Sequence, residues 1–554
     1  MTGRHVFLAA ALLLPSGVFA AQPLSPSDRD AVEQQQRDVL RQNQQQREEL
    51  QRTLTLPSAV PQAPVSDAGP CFTISRIELD GADKLTGNAR DALLSPYRHQ
   101  CLNLARINQL ARQISDWYLR RGYITSRAFL TEQNLTSGTL NLKVVEGRLE
   151  DIKLENAPDR TLAMAFPGLK GKVLNLRDIE QGMEQINRVR NEPVQIEIQP
   201  GSQPGYSVVN LTARPAFPLQ FGAGFDNSGQ KSTGVGQING SLSANNVLGI
   251  ADKWYVSGAR SSAFSSSRDA QSVQAGVSVP YGYFTVDYNY SWSEYVSTFD
   301  NNGFPWRSTG DTETHRLNGA WVAYRDSDIK TALTLGVNHR VSRNYLNDAY
   351  LGSSSRTLTG VMAGLNHSQK LWGGFATLNP AYSRGVPWLG AEDDKGKHPE
   401  APRAEYTKWT LSGSYYRPLR NDLNYITSIY GQWTDDRLYG SERLTLGGES
   451  SVRGFKEQYL SGDVGGYWRN ELNQTVFELP WLGQVGALAA VDGGYLRHKT
   501  DDDFSHGTLW GGAIGLYSNG RYASSQLTVG WPLRYPGELA PDRVSVYYRI
   551  GFVL

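Results

Sequence analysis

The sequence predicts a membrane β fold: a transmembrane β-barrel of about 16 strands, preceded by two small α+β modules and a polar N-terminal helix. Three observations lead there. The chain opens with an export signal, yet no later stretch approaches the roughly 18 consecutive apolar residues of a membrane-crossing helix. From about residue 215 to 554 it reads as amphipathic strands of about ten residues separated by Gly, Asn, Asp and Ser turns. Between these regions the order strand, helix, strand, strand occurs twice.

Composition fits this class. The 554 residues carry 55 Lys plus Arg and 54 Asp plus Glu, so the near-neutral charge of +1 gives no general attraction to nucleic acid or acidic surfaces. The 56 Gly suit a turn-rich β chain, and the 28 Tyr and 13 Trp suit aromatic girdles at two membrane interfaces.

Residues 1–20 read as a secretory signal peptide. Arg4 and His5 precede the apolar run Val6 to Leu14, and Val18-Phe19-Ala20 supplies a small-residue cleavage site after Ala20. The mature chain leaves the cytoplasm, and a bilayer can then be crossed only by strands. Residues 21–54 are rich in Gln, Arg and Glu, and from Ser27 to Leu54 large apolar residues stand only at Val32, Val39, Leu40, Leu50 and Leu54. Helix propensity is good but the apolar face is too thin for a packed core. Such a helix is either solvated or lies in a water-filled lumen as a plug. Residues 55–70, with Pro57, Pro61, Pro64 and Pro70, read as an extended linker that lets it move.

Residues 71–147 form the first module and 148–214 the second. In the first, Phe72, Ile74 and Ile77 mark a strand. Asn103 caps a helix with Leu104, Ile107, Leu110, Ile114 and Trp117 on one face, and two strands follow. In the second, Asn175 caps a helix with Leu176, Ile179, Met183, Ile186 and Val189 on one stripe. The runs Leu102-Asn103-Leu104 and Leu174-Asn175-Leu176 lie 72 residues apart, which marks a tandem repeat. Cys71 and Cys101 are the only cysteines and share the first module, so an oxidising compartment predicts a disulfide between them. No second His or Cys pair gives metal-ligand spacing, and no metal is expected.

In residues 215–554 the last strand is the clearest. Val544, Val546, Tyr548, Ile550, Phe552 and Leu554 alternate with Ser545, Tyr547, Arg549 and Gly551, giving an apolar outside and a polar inside. A soluble β-sandwich is the alternative, disfavoured by the signal peptide and this strand. Between two strands, residues 440–464 form a long glycine-rich loop around Val452, Arg453, Gly454 and Phe455. A guanidinium cannot face lipid and is costly unpaired in a narrow lumen, so Arg453 requires a carboxylate on the inner wall.

Several of these runs resemble a known family. Arg121-Gly-Tyr-Ile-Thr-Ser-Arg127-Ala-Phe and Leu140-Asn-Leu-Lys-Val-Val-Glu146-Gly147-Arg148-Leu149 resemble the paired POTRA domains of two-partner secretion transporters, the TpsB family of the BamA/TpsB superfamily. Arg443-Leu-Thr-Leu-Gly447-Gly448 through Val452-Arg453-Gly454-Phe455, continuing to Gly462-Asp463 and Arg469-Asn470-Glu471-Leu472, resembles that family's loop six. The resemblance implies that this loop folds back into the barrel and that its arginine pairs with the aspartate of a Phe-x-Asp motif. The match here is Ala490-Val491-Asp492, which keeps the carboxylate and lacks the ring; Asp463 and Glu471 are competing partners.

The resemblance further implies an outer-membrane pore that passes a large TpsA-type exoprotein from periplasm to cell surface. The branch is that of filamentous haemagglutinins, haemolysins and contact-dependent inhibition toxins, and the POTRA pair captures the exoprotein's N-terminal secretion domain. Arg127 and Glu146 are candidate contacts, because edge strands of such modules can pair with an extended chain; both could equally be solvated charges. Other expected partners are outer-membrane lipid and the barrel assembly machinery for insertion. The pore is expected to be a monomer that binds no nucleic acid and no cofactor. The rivals are a barrel-inserting factor of the BamA branch, a passive porin or plugged receptor, and a membrane-embedded hydrolase. Two repeats plus an N-terminal helix favour secretion.

Signals of catalysis are weak. Gly224 to Ser232 imitates a phosphate-binding loop, but Gln230 interrupts the Gly-Lys step and no helix follows. Asp501, Asp502 and Asp503 between His498 and His506 read as a solvated loop. No HExxH or GxSxG run occurs, so the chain is not expected to be an enzyme.

Overall fold

The computed structural model describes residues 24–53, 69–155, 158–190, 192–214, 217–499 and 504–554. The expected signal peptide, most of the linker and Asp501 to Asp503 lie outside the described residues.

Sixteen antiparallel strands run from Leu219–Asp226 to Ser545–Val553, and the last pairs with the first to close a barrel. A two-residue strand, Ala349–Tyr350, extends one hairpin. Closure leaves no sheet edge, which satisfies the backbone in lipid. The expected alternation holds in the final strand, where Val546, Ile550 and Phe552 are exposed on the outside while Ser545 and Tyr547 are buried inside. Three neighbouring strands, Phe284–Asn301, Phe304–Arg325 and Ile329–Leu346, have 18, 22 and 18 residues and outreach the roughly ten needed to span a bilayer. No described helix is long and apolar enough to cross a membrane.

Among the described residues five α-helices accompany the barrel: α1 (Pro26–Gln51), α2 (Gly87–Leu94), α3 (Leu104–Arg120), α4 (Asp159–Ala165) and α5 (Leu176–Asn187). The two modules reuse one plan. In the first, Thr139–Val145 pairs in parallel with Arg76–Asp80 and antiparallel with the edge strand Arg127–Leu130. In the second, Tyr206–Thr212 pairs with Arg148–Leu154 and the edge strand Gln195–Pro200 in the same senses. Asn103 caps α3 by accepting from the Arg106 amide at 2.8 Å, and Asn175 caps α5 by accepting from Arg177 at 2.9 Å. The recurring tripeptide is therefore a recurring cap.

The first core packs Ile107, Leu110, Ile114 and Tyr118 of α3 against Ile74, Leu102, Leu140 and Leu142. Two details differ from the expected face. Leu104 is exposed, because it sits at the first helical position, ahead of the turn that meets the sheet. Tyr118 goes fully inside in place of Trp117, which is partly buried under the Arg121 guanidinium at 4.1 Å. The modules are joined where Leu176 N–H donates to Gly122 O and Asn175 Nδ2 donates to Arg121 O, so the start of α5 rests on the end of α3.

Cys71 and Cys101 are disulfide-bonded across 30 residues and tie the short sheet Cys71–Ile74 with Gln100–Asn103. Closing a loop of that length is worth roughly 3–4 kcal/mol to so small a module. Peptide mass mapping without reductant is expected to recover Cys71 joined to Cys101, and recovery of two alkylatable thiols would contradict the structure.

Candidate functional site in the barrel lumen

The loop between Leu423–Trp433 and Gly465–Leu479 turns back into the barrel. Its stem is a small hairpin, Leu444–Leu446 with Leu460–Gly462, and its tip carries Val452 to Phe455. Two contacts show how tightly the tip lies on the wall. A Cβ at Gly511 would fall 1.7 Å from the Arg453 carbonyl oxygen, and Gly454, at φ +99°, leaves no room for one beside the Trp531 carbonyl. Glycine is required at both places, for close approach at Gly511 and for backbone conformation at Gly454.

This seat brings Arg453 onto two carboxylates at once. Nε donates to Asp492 Oδ2 at 2.6 Å and Nη2 to Asp492 Oδ1 at 2.8 Å, a bidentate fork, while the Arg453 amide also donates to Oδ2 at 3.1 Å. Nη1 donates to Glu471 Oε2 at 2.5 Å. Asp492 is 0% exposed and Arg453 2%. Asp492 and Glu471 sit on adjacent strands in the register Arg469↔Asp492 and Glu471↔Ala490, so both point inward. Glu471, expected as a competitor of Asp492, is a simultaneous partner. Asp463 serves another cation: it faces Arg443 at 3.2 Å and accepts from Leu438 N–H.

Ala490, where a ring was expected, is buried beside Leu488 and Ala513 and lies opposite Glu471. The apolar half of the seat comes from elsewhere. Phe455, 1% exposed, meets Tyr535 edge-on, and Val452, Leu444, Leu446, Leu460, Leu496 and Leu509 pack around it, with Tyr430 and Tyr467 stacked 5.5 Å apart. The loop's own leucines were the signal for this cluster, since a solvated loop has no use for three of them.

Helix α1 occupies the lumen beside the loop. Its shaft is held by neutral amides: Gln36 donates to Thr445 O at 2.7 Å, Gln42 to Asn366 Oδ1 at 3.0 Å and Gln46 to Asn379 Oδ1 at 3.0 Å. Asn43 accepts from Thr377 and Asn379. Ion pairs grip both ends, with one long, half-exposed pair midway, Asp38 to Arg316 at 4.0 Å. At the start, Asp28 meets Arg340 at 2.8 Å, and Arg29 donates to Lys456 O at 2.6 Å on the folded-back loop. Gln230, the residue that broke the phosphate-loop pattern, donates to Asp30 there. At the other end, Glu49 meets Lys330 at 2.7 Å. The sequence did not single out Arg340 or Lys330, because an inward charge on one strand is indistinguishable from any polar lumen residue until a partner is placed opposite. Cavities of about 790 and 650 Å³ remain alongside α1.

The second module docks at the Glu49 end. Gln181 and Gln185 of α5 donate to Gly282 O, and Tyr283 donates to Asp178 at 2.6 Å. Glu184 binds Arg325 at 2.6 Å and also the same Lys330 that holds Glu49. Burial alone would raise the Glu184 pKa, but Lys330 and Arg325 outweigh it and hold the carboxyl at about 2.

Of the two candidate contacts on the first module, Arg127 opens the exposed edge strand and donates to Ile124 O and Ser126 O. Glu146 is 9% exposed and accepts from Tyr118 Oη at 2.6 Å and Lys84 N–H at 2.6 Å. Its carboxylate is spent inside the module instead of being offered at the surface. Burial and this carboxylate together push the Tyr118 hydroxyl well above its ordinary range, so it stays a donor.

A closed barrel with an inward loop, a lumen helix and two docked α+β modules defines an outer-membrane protein transporter. Residues 205–518 match the family described as haemolysin secretion/activation protein ShlB/FhaC/HecB, residues 72–147 a ShlB-type POTRA domain and residues 148–200 a further POTRA domain. The chain is 54% identical over 551 residues to the outer membrane transporter CdiB of Escherichia coli, covering 99% of this chain and 94% of the relative. It is 32% identical over 558 residues to the hemolysin transporter protein ShlB of Serratia marcescens, covering 97% and 95%. The solved structure of CdiB from Escherichia coli superposes with a TM-score of 0.94 at 54% identity, covering 97% of this chain and all of that one. The chain belongs to the two-partner secretion transporters, the TpsB family. It forms an outer-membrane pore for exoprotein translocation, with its POTRA domains in the periplasm.

Seating of the loop is testable through the glycine under it. Gly511→Ala must push the Arg453 carbonyl off the wall, at a cost of about 1–3 kcal/mol, and is expected to lower the heat-unfolding midpoint of the barrel in detergent. Gly319→Ala, where a Cβ meets nothing within 4 Å, is expected to leave the midpoint unchanged. Equal midpoints for the two variants would mean the loop is not seated on Gly511.

Proposed function

We propose that this pore exports a large TpsA-type exoprotein of the contact-dependent inhibition kind, as the name and 54% identity of the CdiB relative suggest. The exoprotein's N-terminal secretion domain is captured in the periplasm by the POTRA pair. The exposed edge strand Arg127–Leu130, with Phe129 outward, offers its outer side to an extended chain, apart from Ala128 N–H, which already donates to Ser115 Oγ. The barrel assembly machinery inserts the barrel, and the pore works as a monomer: sixteen strands of one chain complete the ring without a second copy.

The observation that carries the mechanism is the contrast between the two lumen occupants. Loop six is held by a buried, bidentate, charge-assisted contact plus an apolar cluster. Helix α1 is held along its shaft by neutral hydrogen bonds, each worth about 0.5–1.5 kcal/mol net and replaceable by water. The helix is the removable part and the loop the fixture. Because Lys330 holds Glu49 of α1 and Glu184 of the second POTRA domain together, a shift of that domain on capture of the exoprotein loosens the helix at its periplasmic end.

Arg453→Ala is expected to cut exoprotein release at least about tenfold while the barrel still assembles, measured as secreted against total exoprotein; release at the normal rate would sink the role given to the loop. Deleting residues 22–54 is expected to raise single-channel conductance in planar bilayers. Conductance identical to that of the full chain would show that α1 does not obstruct the pore.

A further inference from the structure

Next to the Arg453 contact stands a second arginine, in the strand that follows the loop, to which the transport reading gives no role. Arg469 lies directly across the strand pair from Asp492 in the register. Residues so paired on one face have Cβ atoms about 4.5–5.5 Å apart, within easy reach of an arginine side chain. Yet Asp492 is taken on both oxygens by Arg453, and Glu471, two residues along from Arg469, is taken by Arg453 Nη1. Arg469 Nη1 is left buried without a hydrogen-bond partner among the described residues. A guanidinium nitrogen in that position costs free energy unless its presence compensates something else.

The charge count shows what it compensates. Two carboxylates, Asp492 and Glu471, face two guanidiniums, Arg453 and Arg469, and the group is neutral. If the loop withdraws, Asp492 and Glu471 lose every ionic contact they have with it, and two neighbouring carboxylates are left on the wall. Like charges so close repel unless a cation stands beside them. The only other cation in the group is Arg469, already positioned opposite.

We infer that Arg469 is a positioning residue for loop six, a reserve counter-ion on the wall that takes over Asp492 and Glu471 whenever Arg453 leaves them. With it, the loop contact is reversible, because breaking it exchanges one guanidinium for another. Without it, withdrawal of the loop leaves two neighbouring like charges with no counter-ion. The inference rests on the reading of loop six as a seated element, but it concerns the wall and needs no exoprotein to test.

The test is the heat-unfolding midpoint of the full-length barrel in detergent, read from heat-modifiable electrophoretic mobility, for Arg453→Ala, Arg469→Ala, the double variant, and Arg453→Ala with Arg469→Lys. The double variant is expected to lose more than the two single losses together, by over about 3 °C, and Lys at 469 is expected to recover most of that excess. Adding Asp492→Asn to the double variant is expected to restore the midpoint, since the stranded charge is then gone. Additive single losses, or no restoration by Asp492→Asn, would overturn the inference. If the double variant yields no folded barrel, the triple variant decides: folded barrel supports the inference and its absence refutes it. Normal exoprotein release by Arg453→Ala would refute the export role of the loop and leave this result unaffected.

Discussion

A guanidinium buried in a membrane pore must be paired, and the geometry of the pairing dictates what surrounds it. Removing one partner from a buried ion pair typically costs about 3–5 kcal/mol, because the other charge is left behind. Arg453 therefore fixes more than its own position. Its fork onto Asp492 sets the height of the loop tip, the tip requires bare backbone at Gly511, and the stem behind it carries the leucines that fill the lumen against Leu496 and Leu509. The floor on which α1 rests is made by this loop, through Thr445 O and Lys456 O. Loop, helix and wall form a hierarchy of contacts that weakens from the ionic centre outward.

That hierarchy suits a gate. A plug held by a large apolar face would bury its surface at roughly 25 cal/mol per Å² and would be costly to extract. α1 has almost no such face, with only Val32 and Leu50 among its large apolar side chains fully buried, and its Gln and Asn contacts exchange for water without leaving orphaned groups. Ion pairs at its two ends set position, with only the long, half-exposed pair of Asp38 and Arg316 between them. The lower pair also belongs to the second POTRA domain, so domain and helix share one lysine. In the proposed mechanism the periplasmic mouth is the point where capture and opening meet.

Much of this was legible in the sequence. The last strand announced a barrel because lipid and lumen impose a period of two, and the modules announced themselves through paired Asn caps 72 residues apart. A lumen guanidinium demands a carboxylate, and the family resemblance, not that demand, put Asp492 forward as the partner of Arg453. What could not be read depends on register and facing. Glu471 joins Asp492 because Gly465–Leu479 pairs with Gly483–Leu496 in a register that sets Ala490 opposite it, a relation no local pattern encodes. Glu146 looked like a surface charge and is inside, because the Tyr118 hydroxyl needed an acceptor. Leu104 looked like core and is outside, because helical periodicity cannot say where the sheet begins to cover the helix. Position 490 keeps its alanine beside Leu488 and Ala513, and the apolar seat around Phe455 is a separate cluster, visible only once the loop is folded back.

The central claim is that α1 must leave the lumen for the exoprotein to pass, and a reversible cross-link tests it most directly. Gln42 and Asn366 are hydrogen-bonded across the helix–wall contact at 3.0 Å, so cysteines at both positions lie within the span of a short bis-methanethiosulfonate cross-linker, which a reductant removes. In cells carrying Gln42→Cys with Asn366→Cys, the account predicts that cross-linking stops exoprotein release and that reduction restores it, while either single cysteine has no such effect. Undiminished release with the cross-link fully formed would contradict it.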